Sequence, residues 1–300
     1  RAAAAPLCAA CKTDYTKFGE RCVKCPAANA VGYLLASLAI LAVMVVLGFV
    51  LKSGLKYNRS TKQSPVSTMK IFANYLYMAS LLSLFDIPWT KSIRTMQDSA
   101  SLFSGAEIPS AKCFFGGAYA HMIYLYLSLP LVAFLLPALI LAGWAVYRHC
   151  SPTPVHTIVG VSPERFARNS VLVLMYTWWP TVAKRCFEAL TCSEPIEGRR
   201  HLEVDYREVC YDGAHAEYSA TAWVVLLTFV PDFPCLCFYV LRKHRHELEE
   251  QSVQERYIFL YSGFRGEMPY WEIVVMARKV TFAGVIAGFK NDVLQPYVGI

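Results

Sequence analysis

The chain has 300 residues, of which 55% are hydrophobic and 17% are charged, and its formal net charge is +7. A soluble domain usually carries about a quarter charged residues, and the apolar residues here form long runs instead of an amphipathic pattern. The composition therefore excludes an ordinary soluble domain and favours an integral membrane protein. The chain opens with "RAAAAPLC" and without a methionine, so we expect it to be a piece of a longer protein.

Four cysteines near the start have the spacing C-x2-C-x10-C-x2-C; they are Cys8, Cys11, Cys22 and Cys25. In a cytosolic chain this spacing predicts a zinc site. On the oxidising side of a membrane, two disulfides are favoured instead. Because the loop charges place this segment outside, we expect residues 1–28 to form a small disulfide-stapled, cysteine-rich extracellular element without a metal. The pairing stays open.

The rest of the chain, 29–300, contains apolar segments of membrane-spanning length. Residues 31–51 carry no charge, and a hydrocarbon core requires about 20 helical residues. Later segments contain prolines, which membrane helices tolerate where neighbouring helices bond the freed carbonyls. We therefore expect an all-α fold, a polytopic transmembrane helical bundle of about six spans. Their bounds are about 31–51, 71–89, 122–147, 170–190, 221–241 and 271–289.

The loops between these spans predict their orientation. Loops 52–70, 148–168 and 242–270 together hold thirteen Lys and Arg residues, whereas loops 87–115 and 193–219 hold six. Cytoplasmic loops carry the excess of cations, so the N-terminus is predicted outside. Cys113, Cys192 and Cys210 then lie on the oxidising side, and we expect one disulfide among the three. The other cysteines are predicted to be reduced core residues, namely Cys150, Cys186, Cys235 and Cys237.

Charged residues interrupt or flank the later spans. Glu272 and Lys279 are seven residues apart, so they lie on one face of a helix, and Arg278 precedes Lys279. Asp86 and Asp232, each beside prolines, are candidate partners. One interpretation is an intramembrane polar network that belongs to an ion path or gate. The favoured interpretation is an interfacial cluster, in which Arg278 and Lys279 extend to the headgroups and Glu272 balances them.

Several motifs together carry a resemblance to a known family. They are the C-x2-C element, "LFDIPW", "WWPT", "PDFP" with "LRKHRH", and "RYIFLYSGFR" with "YWEIVVMARK". The chain resembles the C-terminal membrane region of very large, cysteine-rich surface proteins of algae and other protists, proteins of ciliary mastigonemes among them. That region is similar to transient receptor potential and polycystin channels. The resemblance implies a long extracellular body held in the plasma or ciliary membrane by this bundle.

Three functions follow as expectations. The first is anchoring of a large cell-surface or ciliary-surface protein. The alternative is a polycystin-like cation channel subunit, although no carbonyl-lined filter sequence is present. A heptahelical receptor is the third, since Cys113 could pair with Cys192 or Cys210. No catalytic motif is found, so we expect neither an enzyme nor a cofactor. The expected partners are the lipid bilayer and other membrane or filament proteins, such as a polycystin-like channel or mastigoneme components, and not nucleic acid.

Overall fold

The structure of the chain is a computed structural model. The residues it describes are 15–18, 21–24, 65–82, 90–93, 95–97, 119–150, 162–196, 198–262 and 268–288. Several predictions lie outside the described residues. They concern the span 31–51, the later part of the span 71–89, and Cys8, Cys11, Cys25, Asp86 and Cys113.

Most of the described residues are helical, which agrees with the expected class. Seven helices are defined among them: α1 (Pro65–Leu82), α2 (Tyr119–Cys150), α3 (Pro163–Leu190), α4 (Ala214–Leu227), α5 (Phe229–Lys243), α6 (Gln251–Tyr261) and α7 (Trp271–Gly288). A short antiparallel hairpin precedes them, formed by β1 (Tyr15–Phe18) and β2 (Arg21–Lys24). The hairpin departs from an all-α fold, because "YTKF" and "RCVK" are short and rich in residues that favour strands.

Helix α3 is the centre of the bundle. It packs against α2, α4, α5, α6 and α7, and many of its side chains are buried, from Phe166 to Ala189. Its C-terminal half joins a core with the start of α2 and the start of α4, so both of those helices run antiparallel to it. Its middle joins a second core with α5, α6 and α7.

Helices α1 and α7 run parallel to α3. The Tyr77 hydroxyl of α1 donates to the Pro180 carbonyl at 2.9 Å, and Leu81 joins a small core with Ala283 of α7. Further along α7, the Phe187 ring packs against Gly284, where a Cβ atom would lie 3.2 Å from the ring. Along the chain, α2, α3 and the pair α4–α5 therefore alternate in direction, and α7 has the direction of α3.

A proline inside α5 removes one of the hydrogen bonds of that helix. Pro234 has no N–H, so the carbonyl of Val230, four residues earlier, loses its helical partner. The Trp179 indole N–H of α3 donates to this carbonyl at 3.0 Å, and it is almost fully buried. A side chain on the central helix thus provides the hydrogen bond that the proline removes, as is expected where helices with prolines pack together.

The number of spans is the main correction to the sequence analysis. Among the described residues, two segments are long and apolar enough to cross a membrane, by length and composition: Tyr119–Cys150 and Ala214–Lys243. They contain the predicted spans 122–147 and 221–241. The predicted spans 170–190 and 271–289 do form helices, α3 and α7, but these carry Lys184, Arg185, Glu188, Glu272 and Lys279. Both helices pack against other helices of the bundle, and these contacts bury Lys184, Arg185, Glu272 and Lys279.

Candidate functional site

The candidate site is a group of charged side chains buried between α1, α3 and α7. Glu272 and Lys279 of α7 lie on the face that packs against α3, and they are 1% and 3% exposed. Arg278, one residue earlier and about 100° around the helix, is exposed. The interpretation of Lys279 as a cation that extends to the headgroups is therefore wrong, because this side chain is enclosed by the bundle.

Lys70 of α1 supplies the partner of Glu272. Its ammonium nitrogen lies 2.6 Å from Glu272 Oε2, and the two side chains are 5% and 1% exposed. The same ammonium donates to the backbone carbonyl of Phe259 in α6 at 2.8 Å. From the sequence, Lys70 was one of the cations in the loop 52–70, which was predicted to be cytoplasmic. Helix α1 instead begins at Pro65, which brings Lys70 into the bundle.

Tyr176 of α3 forms a hydrogen bond with the other carboxylate oxygen of Glu272. Its hydroxyl donates to Glu272 Oε1, and the side-chain Oδ1 of Asn74 lies 3.3 Å from the same hydroxyl. The ring of Tyr176 lies close to both lysines, with its centroid 5.5 Å from the Lys70 ammonium and 5.1 Å from the Lys279 ammonium. Aromatic faces attract cations at such distances. Glu272 and Tyr176 thus stabilise two cations away from water.

Two further aromatic rings complete the enclosure. The Lys279 ammonium lies 5.7 Å from the centroid of Tyr77, and the Lys70 ammonium lies 5.1 Å from that of Phe259. The charged group therefore receives side chains from four helices, α1, α3, α6 and α7. Buried ions lose their hydration and are tolerated only with close partners of opposite sign and further hydrogen bonds. The arrangement meets this requirement at Glu272, and it links the four helices electrostatically.

A second buried charged group lies nearer the end of α3. Arg185 contacts Glu188 at 2.6 Å, and Lys184 lies 3.5 Å from the same carboxylate. Both cations are 2% exposed. The guanidinium of Arg185 lies 4.6 Å from the centroid of the Tyr126 ring in α2. Tyr176, Pro180, Lys184 and Glu188 recur every four residues, so one face of α3 carries both groups.

Two other candidates of the polar network, Asp232 and Arg278, do not join it, and Asp86 lies outside the described residues. Asp232 is exposed on α5, because Phe233 and Cys237, one turn apart, face the core instead. Arg278 is exposed on α7. Of the five residues named from the sequence, the structure brings together Glu272 and Lys279. The partners that the sequence analysis missed are Lys70 and Tyr176, which lie about 100 to 200 residues before Glu272 in the chain, so helical spacing gave no signal for them.

The cysteines named from the sequence also have different outcomes in the structure. Cys192 and Cys210 form a disulfide across the segment between α3 and α4, with their Cα atoms 6.3 Å apart. Cys22 lies in β2, opposite Lys17. Cys150, Cys186, Cys235 and Cys237 are free; Cys186 and Cys237 are buried as predicted, whereas the prediction of a core position is wrong for Cys150 and Cys235, which are exposed. His215 lies within 4.8 Å of both bonded sulfurs. The sulfurs bond each other, so this trio does not offer the thiolates that a metal ion needs.

Comparison with known proteins gives one distant relative. The chain is 24% identical to Cysteine repeat modular protein A of Toxoplasma gondii over 349 aligned residues, which cover 91% of this chain and 11% of that protein. No family model matches the chain. No solved structure matches it either. The resemblance to cysteine-rich proteins is supported in this coarse form, and the comparisons do not bear on its channel-like or mastigoneme parts.

Proposed function

We propose that this region is the membrane-embedded anchor of a larger cysteine-rich protein. The observation that carries the proposal is the outward apolar surface of the two candidate spans. Leu131 and Leu139 of α2 are 65% and 68% exposed, and Leu227 of α4 is 68% exposed. Exposure of a large apolar side chain to water costs about 1.5–3 kcal/mol, and contact with the hydrocarbon of a bilayer would remove this cost. The relative, of which this chain spans 11%, supports a much longer parent protein.

An orientation follows from this proposal. The ends of α2 and α5 and the start of α3 lie at one end of the bundle, which we assign to the cytoplasm because the basic loops 148–168 and 242–270 are there. The segment with the Cys192–Cys210 disulfide lies at the opposite end, and its assignment to the oxidising side agrees with the bond. Asn58, in an N-R-S sequence, is then cytoplasmic, and a glycan found on it would reverse the assignment.

The anchoring proposal is tested on the full-length protein in its own cells. We expect the wild type to remain in the membrane pellet after alkaline carbonate washing, because several helices are embedded. Deletion of residues 29–300 is expected to release the extracellular body into the medium. A full-length protein released by carbonate, or a deleted protein that stays on the membrane, would contradict anchoring by this region.

A channel subunit is the second candidate, and the buried charges favour it. Lys70, Glu272 and Lys279 lie between helices of a bundle that we place in a membrane, and ionisable residues in such positions commonly belong to ion pathways or gates. The test is the current through membranes that contain the full-length protein. Lys279→Gln is expected to change voltage dependence or ion selectivity, and exposed Arg278→Gln is the matched control. Absence of current at normal surface levels leaves anchoring alone.

The receptor interpretation loses the observation that favoured it. It drew on a possible pairing of Cys113 with Cys192 or Cys210, whereas those two cysteines are bonded to each other. We do not carry it further.

A further inference from the structure

The charged group between α1, α3 and α7 contains more cations than carboxylates. Its charged side chains are those of Lys70, Glu272 and Lys279, which are 5%, 1% and 3% exposed. Both ammonium groups lie close to the same ring, that of Tyr176, at 5.5 Å and 5.1 Å from its centroid. Among the described residues, Glu272 is the one acid that is buried. With both lysines protonated, the group therefore carries one positive charge in excess.

Both oxygens of the carboxylate are already used by groups other than Lys279. Glu272 Oε2 lies 2.6 Å from the Lys70 ammonium, and Oε1 accepts from the Tyr176 hydroxyl. The Lys279 ammonium instead lies over two rings, 5.7 Å from the centroid of Tyr77 and 5.1 Å from that of Tyr176. Within the described ranges of the chain, this ammonium donates to no oxygen. An ammonium group has three N–H donors to satisfy.

The enclosure of Lys279 is therefore incomplete in chemical terms. A buried ion needs a close partner of opposite sign and further hydrogen bonds, and attraction by ring faces replaces only part of the hydration that the ion loses. An anion beside the ammonium would accept its N–H groups and would also cancel the excess charge. One unit of excess charge matches a monovalent anion. The aromatic surroundings favour an ion that loses its water readily, such as a halide, over sulfate or phosphate.

We propose that the Lys279 ammonium binds a small monovalent anion, chloride in a cell, inside the bundle. Hydrogen bonds between an ammonium and an anion are charge-assisted and hence strong. Lysine and arginine side chains also serve as the anion-binding groups of anion-selective pores. The anion would complete the electrostatic link among α1, α3 and α7. The site is built from side chains of the bundle, so this proposal goes beyond anchoring and does not rest on it.

The test measures the binding of radiolabelled chloride to the purified full-length protein in detergent, with gluconate replacing chloride at constant ionic strength. We expect saturable binding by the wild type, which bromide displaces and gluconate does not. Lys279→Met and Lys279→Gln both remove the cation and keep a side chain of similar length. Each is expected to bind chloride about 10- to 100-fold more weakly, because a hydrogen bond to a charged group is lost.

Arg278→Gln is the matched control, because it removes the neighbouring cation of α7, which is exposed. This variant should bind chloride like the wild type. Methionine adds no polar group to the interior, so Lys279→Met is expected to fold even where Lys279→Gln does not, and gel filtration checks each variant. Lys279→Arg, which keeps the positive charge, should retain more of the chloride binding than Lys279→Met does.

Three results would overturn the proposal. Absence of saturable binding by the wild type would mean that Lys279 is accommodated in another way, such as by loss of its proton. Unchanged binding by folded Lys279→Met would place the chloride elsewhere in the full-length protein. An equal loss in Arg278→Gln would mean that overall charge attracts the ion. Because binding is measured in detergent, a wild type that binds chloride but is released by alkaline carbonate would contradict anchoring alone.

Discussion

The carboxylate of Glu272 contacts groups from two other helices. One oxygen lies beside the Lys70 ammonium of α1, and the other accepts from the Tyr176 hydroxyl of α3. A buried ion pair contributes little more to stability than a well-packed apolar pair would. Removal of one partner, however, leaves an uncompensated buried charge. Substitution of Glu272 alone and joint substitution of the pair should therefore have different effects.

Glu272→Gln is expected to lower the free energy of unfolding by about 3–5 kcal/mol, because Lys70 and Lys279 lose the carboxylate. The measurement is thermal or denaturant unfolding of the purified protein in detergent. The control, Arg278→Gln, changes an exposed charge on the same helix and should stay within about 0.5 kcal/mol of the wild type.

Joint replacement of the pair tests the same reasoning from the other side. Lys70→Met with Glu272→Met is expected to be more stable than Glu272→Gln alone, because two ions are removed together. A double variant that is less stable than the single one would show that the other partners of these groups dominate, such as the Phe259 carbonyl and the Tyr176 hydroxyl.

At the level of elements, a proline on α5 and a tryptophan on α3 depend on each other. Trp179→Phe keeps an aromatic ring but removes the N–H that bonds the Val230 carbonyl. We expect a loss of about 1–3 kcal/mol, because a buried carbonyl loses its partner. With Pro234→Ala, residue 234 regains an N–H that can bond Val230, so the same Trp179 substitution should cost much less.

A double-mutant cycle measured by denaturant unfolding reports this coupling. Trp223→Phe, at an exposed position of α4, is the control. Equal costs of Trp179→Phe with and without Pro234 would mean that ring packing, and not the hydrogen bond, determines the effect.

Part of these elements was predictable from the sequence alone. The seven-residue spacing placed Glu272 and Lys279 on one face, since that depends only on helical periodicity. The apolar run that predicts the second span begins at Ile71, so the sequence places Lys70 in the loop before it. Asp232, beside two prolines, was a candidate partner of these charges. Which face of α5 packs inward depends instead on contacts such as Trp179 with Phe233, whose rings are 6.3 Å apart, and these are distant in the chain.

At the scale of the molecule, within the residues that the structure describes, the prediction of about six spans went wrong at the central helix. The number of apolar residues in a helix indicates how well lipid would solvate it. Helix α3 is largely covered by other helices, so its apolar content does not need to be high. The composition still indicated the apolar outer layer correctly, since α2 and α4–α5 were found as candidate spans. Pairing among charges inside the layer requires tertiary contacts that sequence spacing does not encode.

The disulfide between α3 and α4 is expected to stabilise the whole bundle. It joins cysteines 18 residues apart, and a loop of this size corresponds to about 3 kcal/mol. Cys192→Ser with Cys210→Ser should lower the unfolding midpoint, and a reducing agent should lower the midpoint of the wild type equally. Cys235→Ser, at an exposed free cysteine, is the control. An unchanged midpoint in the double variant would contradict this role.

If the bundle is embedded in a membrane as proposed, the central position of α3 also constrains the order in which the chain can be assembled during synthesis. An isolated helix with Lys184, Arg185 and Glu188 would enter a bilayer at a cost of about 3 kcal/mol for each charge near its centre. Tyr126 of α2, made earlier, covers Arg185, whereas α4 and α5 are made later. We therefore expect α3 to leave the translocon only together with its neighbours. Nascent chains that stop near residue 196 should be extracted and degraded, and chains that extend past residue 243 should persist.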